Sequence, residues 1–233
     1  MTKIVILTGA GISAESGLGT FRDAKGLWSQ HRIEDVATPE GFARDPARVH
    51  RFYSARRQQA ARATPNAAHR ALAELEQRWP GEVVIVTQNV DPLHEAAGSR
   101  NVLHMHGTLA GALCAACDHR WPAPQEMTTD TTCPACHAPR SRPDVVWFGE
   151  VPYHLDEIGD HLAEASLFAA IGTSGQVQPA ASFVQEAASG GAQTVELNLA
   201  PSGISDAFDE RRFGPATEVV PDWVRALLHH GPE

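Results

Sequence analysis

The chain has 233 residues, 42% of them hydrophobic, and a formal net charge of −9 at pH 7. That length holds one substantial core with a smaller appended module, and the apolar share suits a globular protein. The acidic balance argues against general nucleic-acid binding through a basic face, and no apolar run approaches membrane-spanning length.

The first predicted strand, Lys3 to Leu7, is an apolar run rich in β-branched residues, as in a strand buried on both faces. It begins almost at Met1 with no signal peptide ahead of it, so a cytoplasmic location is expected. Gly9-Ala10-Gly11 then gives a tight turn where backbone and ligand can approach closely. Ser13 reads as the N-cap of a helix facing a phosphate. Strand, glycine turn and helix are the context of a dinucleotide fingerprint, here partial because Ala14 stands at its third small position. The acidic residue and second strand expected about 20 positions on are missing. In their place Phe21 and Arg22 lead into a basic, aromatic segment.

Residues 24–45 read as loop, with Pro39 and Gly41 as breakers. Pro46 to Ala63 reads as a helix, and a second helix runs from a Thr64-Pro65 start to about Arg78. Val83 to Val86 is a second buried strand that delivers Gln88, Asn89, Val90 and Asp91 at its carboxyl end, where open α/β sheets bind ligands. A short helix from Asp91 closes at Gly98. Val102 to Gly107 reads as extended, which sets His104 and His106 on one face. Either could be a general base near pH 7, and period alone does not choose between them. Val145 to Glu150 reads as extended, 156–165 as helix, Leu167 to Ile171 as strand, 179–189 as helix and Thr194 to Leu197 as strand. Glu218 to Val220 reads as the last strand and 222–230 as a closing helix. The fold class is therefore α/β, with at least five short parallel strands interrupted by a helical insert and a cysteine-bearing insert.

Cys114-x-x-Cys117 and Cys133-x-x-Cys136 are separated by 15 residues and account for all four cysteines. Paired knuckles at this spacing point to a structural zinc held by four thiolates, with no position open for catalysis. An iron–sulfur centre is the alternative for the same ligands. The insert has few apolar residues, so metal binding supplies much of its folding free energy.

Taken together, Thr8 to Gly17, Phe21-Arg22, Thr87 to Asp91 with Leu93-His94, His106-Gly107, the cysteine quartet, Val146 to Glu150, Gly172-Thr173-Ser174 and Leu197-Asn198 resemble the sirtuins, a family of NAD-dependent protein lysine deacylases. The resemblance spans essentially the whole chain in order. It implies a Rossmann-like large domain (1–23, 79–107 and 143–233) and a small domain built from a helical insert (24–78) and a zinc module (108–142), with NAD and an acyl-lysine peptide meeting between them. It implies that His106 is the general base and that Asn89 and Asp91 serve the nicotinamide ribose and amide. Ala10, Ile12, Phe21 and Arg22 would line the nicotinamide and flexible-loop region, Gln88 would join Asn89 at the ribose, and Gly9, Gly11, Glu15 and Val90 would also bind the cofactor. Gly172, Thr173, Ser174 and Asn198 would take the phosphates and adenosine, and Val146, Phe148 and Gly149 would pair with the peptide. The implied reaction is attack of the acyl-lysine amide oxygen on the ribose carbon that carries nicotinamide, ending in free lysine and O-acyl-ADP-ribose. Pro92 departs from the Asn common in the family, and proline suits the first turn of the helix there.

Tyr53 and Arg56 stand at i and i+3 on one helix and so share a face. The pair resembles the sirtuin subgroup that removes succinyl, malonyl and glutaryl groups, with Arg56 forked onto the distal carboxylate and Tyr53 donating a hydrogen bond. Leu103, Met105 and Trp147 read as core or cleft wall. A monomer is expected, with acyl-lysine proteins as partners. NAD-dependent ADP-ribosyl transfer and a non-catalytic NAD-sensing zinc ribbon are the rival readings.

Overall fold

The computed structural model describes residues 2–19 and 31–230; the expected roles of Phe21 and Arg22 lie outside them. In chain order the strands are β1 (Lys3–Thr8), β2 (Glu82–Thr87), β3 (Val102–His104), β4 (Gly107–Cys114), β5 (Arg120–Pro122), β6 (Ser141–Val145), β7 (Leu167–Ile171), β8 (Gln193–Asn198) and β9 (Glu210–Phe213). The helices are α1 (Gly11–Ala14), α2 (Ile33–Val36), α3 (Pro39–Arg44), α4 (Pro46–Ala60), α5 (Ala67–Arg78), α6 (Leu93–Ala97), α7 (Leu155–Ala163), α8 (Phe183–Ser189) and α9 (Ala216–His230).

Six strands form a parallel sheet in the order β3-β2-β1-β7-β8-β9. The chain winds one way from β1 through β2 to β3, then returns to β1's other side for β7, β8 and β9. The switch therefore falls between β1 and β7, and the site is expected at their carboxyl ends. The central strands are buried on both faces, which explains their unbroken apolar runs. One face packs Ile4, Ile6, Ile85 and Val195 against α5 and α9; the other packs Val5, Leu7, Val84 and Phe168 against α7 and α8. Leu103 and Met105 lie in this second core, as the sequence suggests.

The second sheet is antiparallel, in the order β5-β4-β6, and it carries the cysteines. Its joint with α2, α3 and α4 is apolar, made by Val36, Val49, Phe52, Tyr53, Leu109, Val145 and Trp147.

Several expectations are corrected. Within 24–45, the described part holds α2 and α3, because Thr38 caps Pro39–Arg44 and Val36 is buried in the joint. Asn66, not Thr64, caps α5, its side chain accepting from the amides of Ala68 and His69. The insert expected over 24–78 divides: α5 belongs to the large sheet's core, while α2 to α4 belong to the joint. Glu218 to Val220 is helical. Val220, Trp223 and Val224 form one apolar face of α9 against α5, and that packing outweighs Pro221 and the β-branched pair before it. The last strand is instead β9, whose charged Glu-Arg-Arg run gave no apolar signal because it is an edge strand.

Candidate active site

The carboxyl ends of β1, β2, β7 and β8 deliver the site. At the switch point the turn after β1 packs backbone to backbone on the turn after β7: the Gly11 amide donates to the Gly172 carbonyl at 2.9 Å, and the Gly9 amide to that of Ile171 at 3.0 Å. A Cβ added to Gly9 would lie 2.8 Å from the Gly172 carbonyl oxygen, and one on Gly172 would lie 2.4 Å from the Ile12 nitrogen. Glycine is thus required by contact with protein backbone, not only by a ligand. Around this seam Gln88 donates to Thr173 Oγ1 at 3.0 Å, and Asn198 donates to the Thr173 carbonyl at 2.7 Å. Ser174 Oγ accepts from the Gln176 amide.

Asn89 and Asp91 are 7% and 6% exposed, and their polar atoms are almost fully assigned. Asn89 Nδ2 donates to the Gly9 carbonyl and to Ser13 Oγ, while its amide donates to Thr87 Oγ1. Asp91 accepts from the Leu93 amide at 3.1 Å and from the Ser13 hydroxyl at 3.2 Å. Burial raises the Asp91 pKa above the usual carboxylate value, opposed by these two donors and by the positive charges of His104 and Arg56. Ser13 is not an N-cap: it sits inside the four-residue α1, which Ala10 precedes as cap, and its hydroxyl points inward to this network.

The structure separates the two histidines that spacing left equivalent. The strand stops at His104, so the pair does not share one extended face. His104 Nδ1–H donates to the Asn89 carbonyl, and its Nε2 lies 2.6 Å from the Glu95 carboxylate. Both nitrogens face acceptors, an arrangement that only the imidazolium satisfies. Burial works against that charge, but Glu95 outweighs it and the pKa stands above the ordinary value. His106 has one acceptor: Nδ1–H donates to the Gln88 carbonyl at 3.1 Å. Burial pulls its pKa below 6.5, so the ring is neutral at pH 7 with Nε2 left as a proton acceptor.

Arg56 and Asp91 line one cleft together with Leu18, Gly19, Gln59, Ala60 and Leu109. Arg56 lies close enough to Tyr53 and Asp91 to feel both; burial nonetheless draws its pKa down. Tyr53 is buried against Phe52, which pushes its phenol up to about 12. Val90 sits at the joint, its carbonyl accepting from the Leu109 amide.

Other expected site residues are placed differently. The Ile12 side chain is wholly buried in the core. The Glu15 carboxylate accepts from the amide and hydroxyl of Thr217 and caps the start of α9. Val146 to Glu150 does not continue β6. The Val146 amide donates to the His106 carbonyl, the Phe148 amide donates to that of Ala37, and the chain turns at Gly149 with φ +91°. Phe148 is exposed.

The four cysteine sulfurs lie within 4.8 Å of one another, with Cys114–Cys136 at 3.6 Å and Cys117–Cys133 at 3.8 Å. A tetrahedral zinc with bonds of ~2.3 Å needs sulfur–sulfur edges of ~3.8 Å. None of the four is in a disulfide, so the thiols fit one structural zinc.

A doubly wound parallel sheet with a polar site at its switch point, joined to a four-thiolate module, defines an α/β protein of nucleotide-binding type. The Sir2 family model matches residues 9–179, and the chain belongs to that family. A protein of Caulobacter vibrioides named NAD-dependent protein deacylase is 56% identical over 230 residues, covering 97% of each chain. One of the same name from Bdellovibrio bacteriovorus is 53% identical over 229 residues, again covering 97% of each. The solved structure of a Sir2 homolog–NAD complex is 39% identical with a TM-score of 0.90, covering 98% of this chain and 90% of that one.

Proposed function

We propose that the chain is an NAD-dependent deacylase of protein lysines, and that its acyl pocket takes succinyl and malonyl groups as well as acetyl. The observation that carries this reading is the meeting on one cleft of Arg56 and Asp91, together with a neutral His106 hydrogen-bonded to Gln88 just past the end of β2. Gly9, Ala10 and Gly11 with Gly172, Thr173, Ser174 and Asn198 form the seam along which the dinucleotide would lie. Bound NAD supplies the activated ribose carbon and a ribose hydroxyl. Gln88, Asn89 and Asp91 orient that end, His106 takes the hydroxyl proton at Nε2, and the buried surroundings exclude water. The segment Val146, Phe148 and Gly149 lies beside His106 and offers its edge to an acyl-lysine peptide. Arg56 neutralises the distal carboxylate of an acidic acyl chain, and Tyr53 adds a hydrogen bond. The four cysteines hold one structural zinc.

The test is a mass-spectrometric time course with NAD and matched acetyl-lysine and succinyl-lysine peptides. NAD-dependent release of free lysine with O-acyl-ADP-ribose is expected, and a succinyl-to-acetyl rate ratio that collapses in Arg56→Met. A ratio insensitive to Arg56 would remove the acidic-acyl assignment. ADP-ribose found on protein instead of on the acyl group would replace deacylation by transfer.

A further inference from the structure

The segment between Val146 and Phe148 holds a tryptophan that the sequence gives no chemical role. Trp147 is 2% exposed, and its indole Nε1–H points at the Tyr53 hydroxyl oxygen, 3.0 Å away. The two belong to different elements, one on α4 and one after β6, and they meet in the apolar joint.

The direction of this bond is fixed by chemistry. An indole nitrogen only donates, so the phenol oxygen must accept. The Tyr53 proton then has to point elsewhere, and among the described residues no acceptor receives it. The phenol stays protonated, since burial raises it to about 12. It therefore keeps one O–H to donate, on a side chain that stands three residues before Arg56 on α4.

The indole is itself held from behind. The Arg142 guanidinium carbon lies 3.5 Å from the Trp147 ring centroid. Arg142 is gripped by both oxygens of Glu150, at 2.6 and 2.8 Å, and donates to the Val145 carbonyl. Glu150 also accepts from the Trp147 amide at 2.8 Å, and Phe42 flanks the ring at 5.1 Å between centroids. The ring so stacked and tethered has little freedom to swing its N–H away from Tyr53.

We propose that Trp147 is a positioning residue for acyl selectivity. By donating to Tyr53 it directs the phenol proton toward an acyl carboxylate, with Arg142 and Glu150 holding the indole in place. The inference rests on the acidic-acyl reading of Tyr53 and Arg56. It adds that the segment beside the peptide also tunes the acyl pocket.

The test is a double-mutant cycle on the full chain with zinc and NAD: wild type, Trp147→Phe, Tyr53→Phe and the double variant. The readout is the succinyl-to-acetyl ratio of kcat/KM, with KM and kcat resolved separately. Loss of one neutral hydrogen bond should lower the ratio roughly three- to tenfold in Trp147→Phe, mostly through the succinyl-peptide KM. In the Tyr53→Phe background the same substitution should change the ratio by less than about twofold. Equal loss on both peptides, or an undiminished ratio effect without the Tyr53 hydroxyl, would overturn the proposal and leave Trp147 as packing. A Tyr53→Phe variant with a wild-type ratio would instead remove the acidic-acyl reading on which it stands. Should Trp147→Phe fail to fold, benzothienylalanine at position 147 keeps the ring's shape without the N–H. It should give the same drop, and a wild-type ratio there would refute the role.

Discussion

The Ser13 hydroxyl donates to the Asp91 carboxylate at 3.2 Å, joining α1 to the end of β2. Behind it stands His69, whose Nδ1 accepts from the Asn66 amide and whose Nε2 faces Ser13 Oγ at 3.4 Å. Nε2 therefore carries the ring proton, and Ser13 receives from His69 and Asn89 while passing its own proton to Asp91. Burial holds the His69 pKa at about 4, so this polarity persists at neutral pH.

Ser13→Ala should therefore act through Asp91. Removing a donor from a buried carboxylate raises its pKa further, because the charged form loses a stabilising partner. The acid limb of kcat/KM for NAD should move to higher pH, and activity at pH 7 should fall about tenfold. A pH–rate profile with an unmoved acid limb would remove Ser13 from the electrostatics of the site.

The His104–Glu95 pair predicts a pH dependence of stability. The folded His104 pKa is raised, so its contribution is complete below the unfolded value of about 6.5 and is lost as pH rises through the folded pKa. The Glu95 pKa is lowered by His104 against the effect of burial, so its contribution is present above the ordinary carboxylate value and lost in acid. Glu95→Gln should destabilise the protein most near pH 6 and progressively less above pH 7. The Glu95 side chain is 44% exposed, so screening limits the effect to about 1 kcal/mol. Urea titrations across that range measure it, and a pH-independent loss would mean the pair is packing alone.

The parts of this molecule legible in its sequence are those whose signal is local. β1, β2, β7 and β8 read as strands because burial on both faces demands continuous apolar runs, and the zinc module reads from its cysteine spacing. The set Gln88, Asn89 and Asp91 stood out because polar residues follow a buried strand at its carboxyl end. What local signals do not carry is decided by distant partners. Glu15 looks like part of a glycine loop, yet Thr217, 202 positions on, takes its carboxylate. His104 and His106 differ only through Glu95 and Gln88, which no periodicity reveals. Trp147 reads as a wall until Tyr53 is seen across the joint. The closing helix reads from 222–230, but its first turns and β9 do not, because packing on α5 and edge exposure outweigh local propensity.

Gly172 makes the switch point sensitive to a single methyl group. Its φ is +62°, and a Cβ there would meet the Ile12 nitrogen at 2.4 Å and the Gly11 carbonyl carbon at 2.7 Å. These are backbone atoms of the turn after β1 and cannot rotate aside. Gly172→Ala should separate the ends of β1 and β7 and cost several kcal/mol. Thermal unfolding should shift down by about 10 °C, with NAD binding by calorimetry lost under conditions where the variant is still folded. Normal NAD affinity would show that the seam is structural and that the dinucleotide lies elsewhere.

Arg57 ties the metal module to α4, and it sits one residue from Arg56 of the proposed acyl pocket. It is 6% exposed, with Nη1 donating to the Leu109 carbonyl, Nε to that of Gln125 and Nη2 to Ser54 Oγ. Ser54 in turn accepts from the Met127 amide. The Leu109 and Gln125 carbonyls and the Met127 amide belong to β4 and to the loop between the cysteine pairs, so α4 is hung on the folded module. Verified removal of zinc should unfold 108–142, release these carbonyls and loosen α4 along with Tyr53 and Arg56. Hydrogen exchange should then rise in 46–60 as well as in 108–142, and succinyl-lysine turnover should fall more than acetyl-lysine turnover. Arg57→Met should cost about 2 kcal/mol with zinc bound, since it strips a charged donor from buried acceptors. In that variant the exchange of 46–60 should rise before any chelator is added. If chelation exposes only 108–142 and leaves 46–60 protected, Arg57 is a local anchor and the metal does not govern the acyl pocket.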